Sequence, residues 1–139
     1  MFAFTSQPRT MTELDHVRIS NLLRRPPAGV SVESGAIEDV INGAELVSSH
    51  EVPPHVVTMY SQVLIADTLT GEQRKLILCY PHDAEPAAGS VSVLSPVGAA
   101  LLGLSVGQVA HWAGPQGARA SAQIRAVLFQ PEESGDYLL

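Results

Sequence analysis

A chain of 139 residues with 45% hydrophobic side chains has room for one domain with an unstapled core, or for a small domain with a short appendage. Lys and Arg number 8 against 14 Asp and Glu, a net charge of −6 spread over both halves, which excludes a phosphate-neutralising face and free DNA or RNA as the main ligand. The single cysteine, Cys79, excludes an internal disulfide, and no stretch approaches the ~20 apolar residues that span a bilayer.

Residues 1–11 carry Pro8 and no hydrophobic period, and read as a loose lead-in. Thr12 is a good N-cap for "TELDHVRISNLLRR", with Glu13 and Asp15 suited to a first turn, Arg24 and Arg25 to a last turn, and Pro26-Pro27 as the stop. Ile19, Leu22 and Leu23 share one side of this helix, while Leu14 and Val17 fall off it. A second helix is predicted from about Gly35 to Val47, where Ala36, Ile37, Val40, Ile41, Ala44 and Val47 recur at helical spacing, with Gly43 as its weak point. Two short helices around a Pro-rich connection predict an antiparallel hairpin, and "SSHEVPPH" reads as a linker.

The rest is strand-like. "VVTMYSQVLIAD" alternates from Val57, "TLTGEQ" is a turn containing Gly71, and "RKLILCYP" is a strand stopped by Pro81. "HDAEPAAG" is a polar loop and "SVSVLS" a third strand. Ser95-Pro96 is an N-cap followed by Pro at the first helical position, opening a helix of barely two turns from Val97 to Leu102 that ends at Gly103. "LSVGQVAHWA" continues as a turn at Gly107 and a strand, "GPQGA" as a turn and "SAQIRAVLFQ" as the last strand. The pattern predicts an α+β chain: an α-hairpin, then a twisted antiparallel sheet with one short apolar helix packed on its face. With few aromatics, the core should be aliphatic.

Spacing alone shows no complete catalytic site. His16, His50, His55, His82 and His111 are scattered, so no metal site is expected. The glycines near residues 98–107 lack the GKS or GKT of a phosphate loop, and Ser95 lacks a nucleophile-elbow context. Cys79 reads as a small buried hydrophobe. Glu38 and Asp39 read as a solvated helix face, with binding of a metal held by a partner as their functional alternative. No charged and then apolar leader opens the chain, so a cytoplasmic protein is expected.

From Val56 onward the order of segments resembles a known family. "VVTMYSQV", "LILCYPHDA", "SVSVLSPVGAALLGLSVGQVAHW" and the terminal "GDYLL" are similar to the Rnk-type regulators of nucleoside diphosphate kinase, within the wider GreA/GreB transcription-factor family. The helical half is similar through "ELDHVRISNLL" and "EVPP". The resemblance implies a short N-terminal antiparallel two-helix coiled coil over residues 1–50. It implies an FKBP-like antiparallel sheet with one short helix, of the GreA/GreB C-terminal type, over 51–139. It also implies a non-enzymatic partner of RNA polymerase that docks at the entrance of the secondary channel, with an effect on nucleoside diphosphate kinase level or activity. No cofactor, membrane contact or direct specific nucleic-acid binding is expected.

In Gre factors, acidic residues at the coiled-coil tip help hold the catalytic magnesium for transcript cleavage. Here two helices of about 13 residues would reach only ~20 Å, and the predicted tip, Pro26 to Ser34, holds one acid, Glu33. A Gre-type cleavage factor is therefore the weaker alternative. A prolyl isomerase, suggested by the FKBP-like fold, would need a pocket of clustered aromatics. The residues the resemblance points to as polymerase-facing are Ser95 and Pro96 and the Asp83 to Glu85 loop, with Arg24, Arg25 and Glu33 at the tip. A purely structural cap is the other role for Ser95-Pro96.

Overall fold

The computed structural model describes residues 7–26, 36–114 and 117–136. Its elements are β1 (Thr10–Thr12), α1 (Glu13–Arg24), α2 (Ala36–Gly43), β2 (Glu45–Val47), β3 (Gln62–Asp67), β4 (Gln73–Cys79), β5 (Ser90–Ser92), α3 (Pro96–Leu101), β6 (Val109–Ala113) and β7 (Arg119–Phe129). The chain is α+β, as expected. Strands β5-β4-β3-β7-β6 form one curled five-stranded sheet, and β1-β2 a separate pair.

The local signals at α1 act as the sequence predicts: the Thr12 hydroxyl accepts the Asp15 N–H at 3.0 Å and acids fill the first turn. Ile19 is fully buried, whereas Val17 is exposed. The second helix is shorter than expected. It ends at Gly43, where helix propensity is lowest, and Glu45–Val47 leaves it to pair in parallel with Thr10–Thr12. Residues 10–12 are therefore a strand rather than loose lead-in. Ile37, Val40 and Ile41 of α2 enter the same core as the sheet and α3. Of the connection predicted as the tip, residues 27–34, including Glu33, lie outside the described residues.

Two strand expectations are also corrected. The alternation from Val57 does not mark a strand: residues 56–59 are buried on both sides of the pattern, Tyr60 takes φ +65°, and the ladder begins at Gln62. The sheet is mixed rather than antiparallel, because β5 lies parallel to β4 with Cys79 opposite Ser92. The polar loop between them is not a hairpin. It winds through short turns at Pro81–Asp83 and Pro86–Ala88 and brings the chain back beside the middle of β4. Elsewhere β3 pairs antiparallel with β4 and β7, and β6 with β7.

The core is aliphatic. Val63 and Ile65 of β3, Leu78 of β4, Ile124 of β7, and Leu101, Leu102 and Leu104 around α3 are all at most 2% exposed. The short helix covers one face of the sheet, which a small sheet must bury to be stable.

Candidate docking surface

The start of α3 is held by a dense set of short-range bonds. The Ser95 hydroxyl donates to the Ser92 carbonyl at 2.6 Å and accepts the Gly98 N–H at 3.2 Å, while the Ser92 hydroxyl accepts the Leu94 N–H at 3.0 Å. Pro96 then occupies the first helical position with its ring exposed. Gly98 lets the helix sit against β5: a Cβ there would lie 2.0 Å from the Ser92 carbonyl oxygen. Ser95 is thus a working cap, and the edge it fixes is rigid and presents Pro96 to solvent.

The other end of α3 is closed by a residue that sequence patterning did not single out. Arg9 Nη1 donates to the carbonyls of Ala99, Ala100 and Leu102 at 3.0, 3.2 and 2.8 Å. These oxygens belong to the last turn, where a cation also meets the negative end of the helix dipole. Burial pulls the Arg9 guanidinium below the usual arginine range. Gly103 follows at φ +83°, as a helix-terminating glycine should, and packs against the Thr10 backbone. Only the adjacent Thr12 cap hinted that this segment was ordered.

Because β4 and β5 run parallel, the turn Pro81–Asp83 and the cap Ser95-Pro96 leave the same end of the sheet. Asp83 is held there: the Tyr60 hydroxyl donates to its Oδ2 at 2.5 Å, and His82 Nε2 lies 3.4 Å from the same oxygen. Burial, with the Asp83 bond and charge adding to it, holds the Tyr60 hydroxyl above its ordinary range. Tyr60 and Tyr80 meet edge to face at 5.8 Å, and the Tyr80 and His82 rings lie parallel at 6.5 Å. Glu85 is exposed but belongs to the other end of β5, where its carbonyl accepts the Ser90 N–H. Arg24 and Arg25 lie exposed at the end of α1, the Arg24 guanidinium donating to the Asn21 side chain. The structure thus brings Asp83, Ser95 and Pro96 to one end of the sheet and leaves Glu85, Arg24 and Arg25 on separate elements.

A buried carboxylate was also missed. Asp15 is 2% exposed, and its Oδ2 accepts the Met59 N–H at 3.2 Å, tying α1 to the 57–61 turn. Burial raises its pKa to about 6; the Met59 bond opposes this, and the nearby Glu132 charge adds to it. Glu132 in turn accepts the Thr58 hydroxyl at 2.7 Å. The Thr12-x-x-Asp15 spacing signals the cap but not the burial. Among the described residues no three His, Cys, Asp or Glu side chains gather as metal ligands, and no helix is long and apolar enough to cross a membrane.

Residues 52–129 match the family model described as transcription elongation factor, GreA/GreB, C-term. The chain is 39% identical over 130 residues to the regulator of nucleoside diphosphate kinase of Escherichia coli K12, covering 93% of this chain and 95% of that protein. It is 33% identical over 81 residues to the transcription elongation factor GreA of Flavobacterium johnsoniae, covering 58% of this chain and 51% of that one. Among solved structures, a prokaryotic transcription elongation factor GreA/GreB from Nitrosomonas europaea superposes with a TM-score of 0.70 at 33% identity, covering 88% of this chain and 99% of that chain.

Proposed function

We propose, from the premise that this chain belongs to the GreA/GreB family of transcription elongation factors, that it is a regulator of the Rnk type that docks on RNA polymerase at the mouth of the secondary channel. The observation that carries this is the likeness to a regulator of nucleoside diphosphate kinase over nearly the whole of both chains. The rigid edge at Ser95-Pro96, with Asp83 on the same end of the sheet, suits a docking role. We read the two helices as a shortened coiled coil and the 51–139 unit as an FKBP-like domain. An effect on nucleoside diphosphate kinase then follows through transcription.

Docking without transcript cleavage is supported by reach and by the placement of acids. An α1 of 12 residues and an α2 of 8 extend only about 18 and 12 Å. Glu38 and Asp39 lie exposed on the first turn of α2. Their spacing offers no pair of carboxylates held for a magnesium ion. The test is transcript cleavage by backtracked polymerase complexes with saturating protein. No cleavage, with GreA-stimulated cleavage suppressed as the protein is added, is expected. Cleavage stimulated by this protein would overturn the proposal in favour of a Gre-type factor.

A further inference from the structure

The Tyr60–Asp83 contact joins two turns far apart in sequence, and three observations set it apart from an incidental surface bond. First, Tyr60 is the only non-glycine residue at positive φ among the described residues, a conformation that is costly for a bulky side chain and that clusters at functional sites. The backbone fixes it there: the Tyr60 N–H donates to the Leu78 carbonyl at 2.6 Å, and the Leu78 N–H donates to the Ser61 carbonyl. Second, the hydroxyl reaches Asp83 Oδ2 on the turn that follows β4, leaving the carboxylate 45% exposed but fixed in orientation. Third, the neighbouring His82 side chain is 74% exposed and lies parallel to Tyr80, so a flat aromatic face stands beside the held carboxylate.

The surrounding charge agrees. No Lys or Arg occurs in sequence from residue 76 to residue 118, a stretch that includes Asp83 and the Ser95-Pro96 cap, and the cation whose charge acts on Tyr60 and Tyr80 is Arg18 of α1. A cationic partner group approaching this end is drawn by the exposed Asp83 carboxylate itself. A fixed carboxylate beside a flat ring matches one side chain in particular. An arginine guanidinium is planar, takes a carboxylate with paired N–H donors and stacks on aromatic faces, whereas a lysine ammonium does only part of this.

We propose that Tyr60, His82 and Asp83 form an arginine-binding clamp that fixes the orientation in which this protein docks on RNA polymerase. This rests on the docking proposal above and adds the chemistry of the partner group. Asp83 takes the guanidinium through the oxygen atoms turned to solvent, Tyr60 holds the carboxylate in place, and the imidazole of His82 covers the guanidinium plane.

The experiment is equilibrium binding to core RNA polymerase at low and moderate salt, with Asp83→Asn, Tyr60→Phe, His82→Ala and, on the remote β3–β4 turn, Glu72→Gln as a charge control. Asp83→Asn is isosteric and Tyr60→Phe keeps the ring, so both should fold; thermal unfolding checks each. Asp83→Asn is expected to weaken binding about tenfold and to flatten its salt dependence, and Tyr60→Phe and His82→Ala to weaken it about threefold, with Glu72→Gln unchanged. Folded variants that bind like the wild type would overturn the clamp alone, as would a Glu72→Gln loss equal to that of Asp83→Asn. Absence of binding by the wild type would overturn the docking proposal and the clamp with it.

Discussion

Arg9 Nη1 stands 2.8 Å from the carbonyl oxygen of Leu102, so the segment before the first helix closes the last turn of the helix that the domain is built around. The same guanidinium also reaches the Ala99 and Ala100 carbonyls, and none of these three oxygens has a continuing helix to bond to. Removing it leaves half-buried carbonyls at a helix C-terminus. Arg9→Ala is expected to destabilise the protein by about 2 kcal/mol, measured by urea unfolding. Arg9→Lys should recover only part of this, because lysine is shorter and its compact ammonium is more strongly hydrated, so it is costlier to bury against the carbonyls.

Gly98 is a steric requirement. A methyl group there would fall 2.0 Å from the Ser92 carbonyl oxygen and 3.0 Å from the Val93 Cα, both backbone atoms that cannot give way without moving β5. The expected loss for Gly98→Ala is about 3 kcal/mol or more, despite the better helix propensity of alanine. Gly43→Ala makes the contrast: nothing lies within 4 Å of its added Cβ, and a small gain of about 0.5 kcal/mol is expected. Thermal unfolding of the two variants side by side separates close packing from propensity.

Asp15 should make stability depend on pH. Burial raises its pKa to about 6 from 3.8 in the unfolded chain; the Met59 N–H opposes, the Glu132 charge adds, and the Thr12 and Arg18 side chains oppose. Between those values the folded protein keeps a proton that the unfolded chain has lost. The stabilisation from this group is therefore full below about pH 3.8 and is lost as pH rises through about 6. Asp15→Asn removes the titration. The variant is expected to exceed the wild type by on the order of 2 kcal/mol at neutral pH, with the gap closing toward about pH 4. Urea unfolding at both pH values measures it; a gap that stays constant would mean that the carboxyl titrates alike in both states.

Pro96 can be changed without touching the core. Its ring is exposed, and the cap bonds are made by Ser95 and Ser92. Pro96→Arg places a long cation on the edge proposed to face the polymerase. Stability within about 1 kcal/mol of the wild type is expected, with binding to core polymerase weakened about tenfold or more. Unchanged affinity in the folded variant would remove this edge from the docking surface.

What could be seen in the sequence was local. The Ser95-Pro96 start and Gly103 end of α3, the Thr12 cap and the Gly71 turn each depend on a few adjacent residues, and each stands where expected. Non-local features were hidden. Nothing near Ser90 shows that its strand runs parallel to β4, because direction is set by how the 80–89 loop winds. The alternation at Val57 imitates a strand because Thr58 is polar yet buried, its hydroxyl bonded to Ser61 and Glu132 within a turn rather than turned to solvent. Glu45–Val47 continues the apolar period of α2, yet becomes a strand because Thr10–Thr12 is there to pair with it. At the proposed docking surface, the resemblance points to Ser95, Pro96 and Asp83 but not to Tyr60: its contact with Asp83 joins residues 23 apart in sequence, and its positive φ has no signal in a tyrosine.

On the docking proposal, the protein occupies the GreA site on RNA polymerase. The most direct test is equilibrium binding of labelled protein to core polymerase, with unlabelled GreA as competitor. Saturable binding that GreA displaces completely is expected. No binding, or binding that persists under saturating GreA, would contradict it.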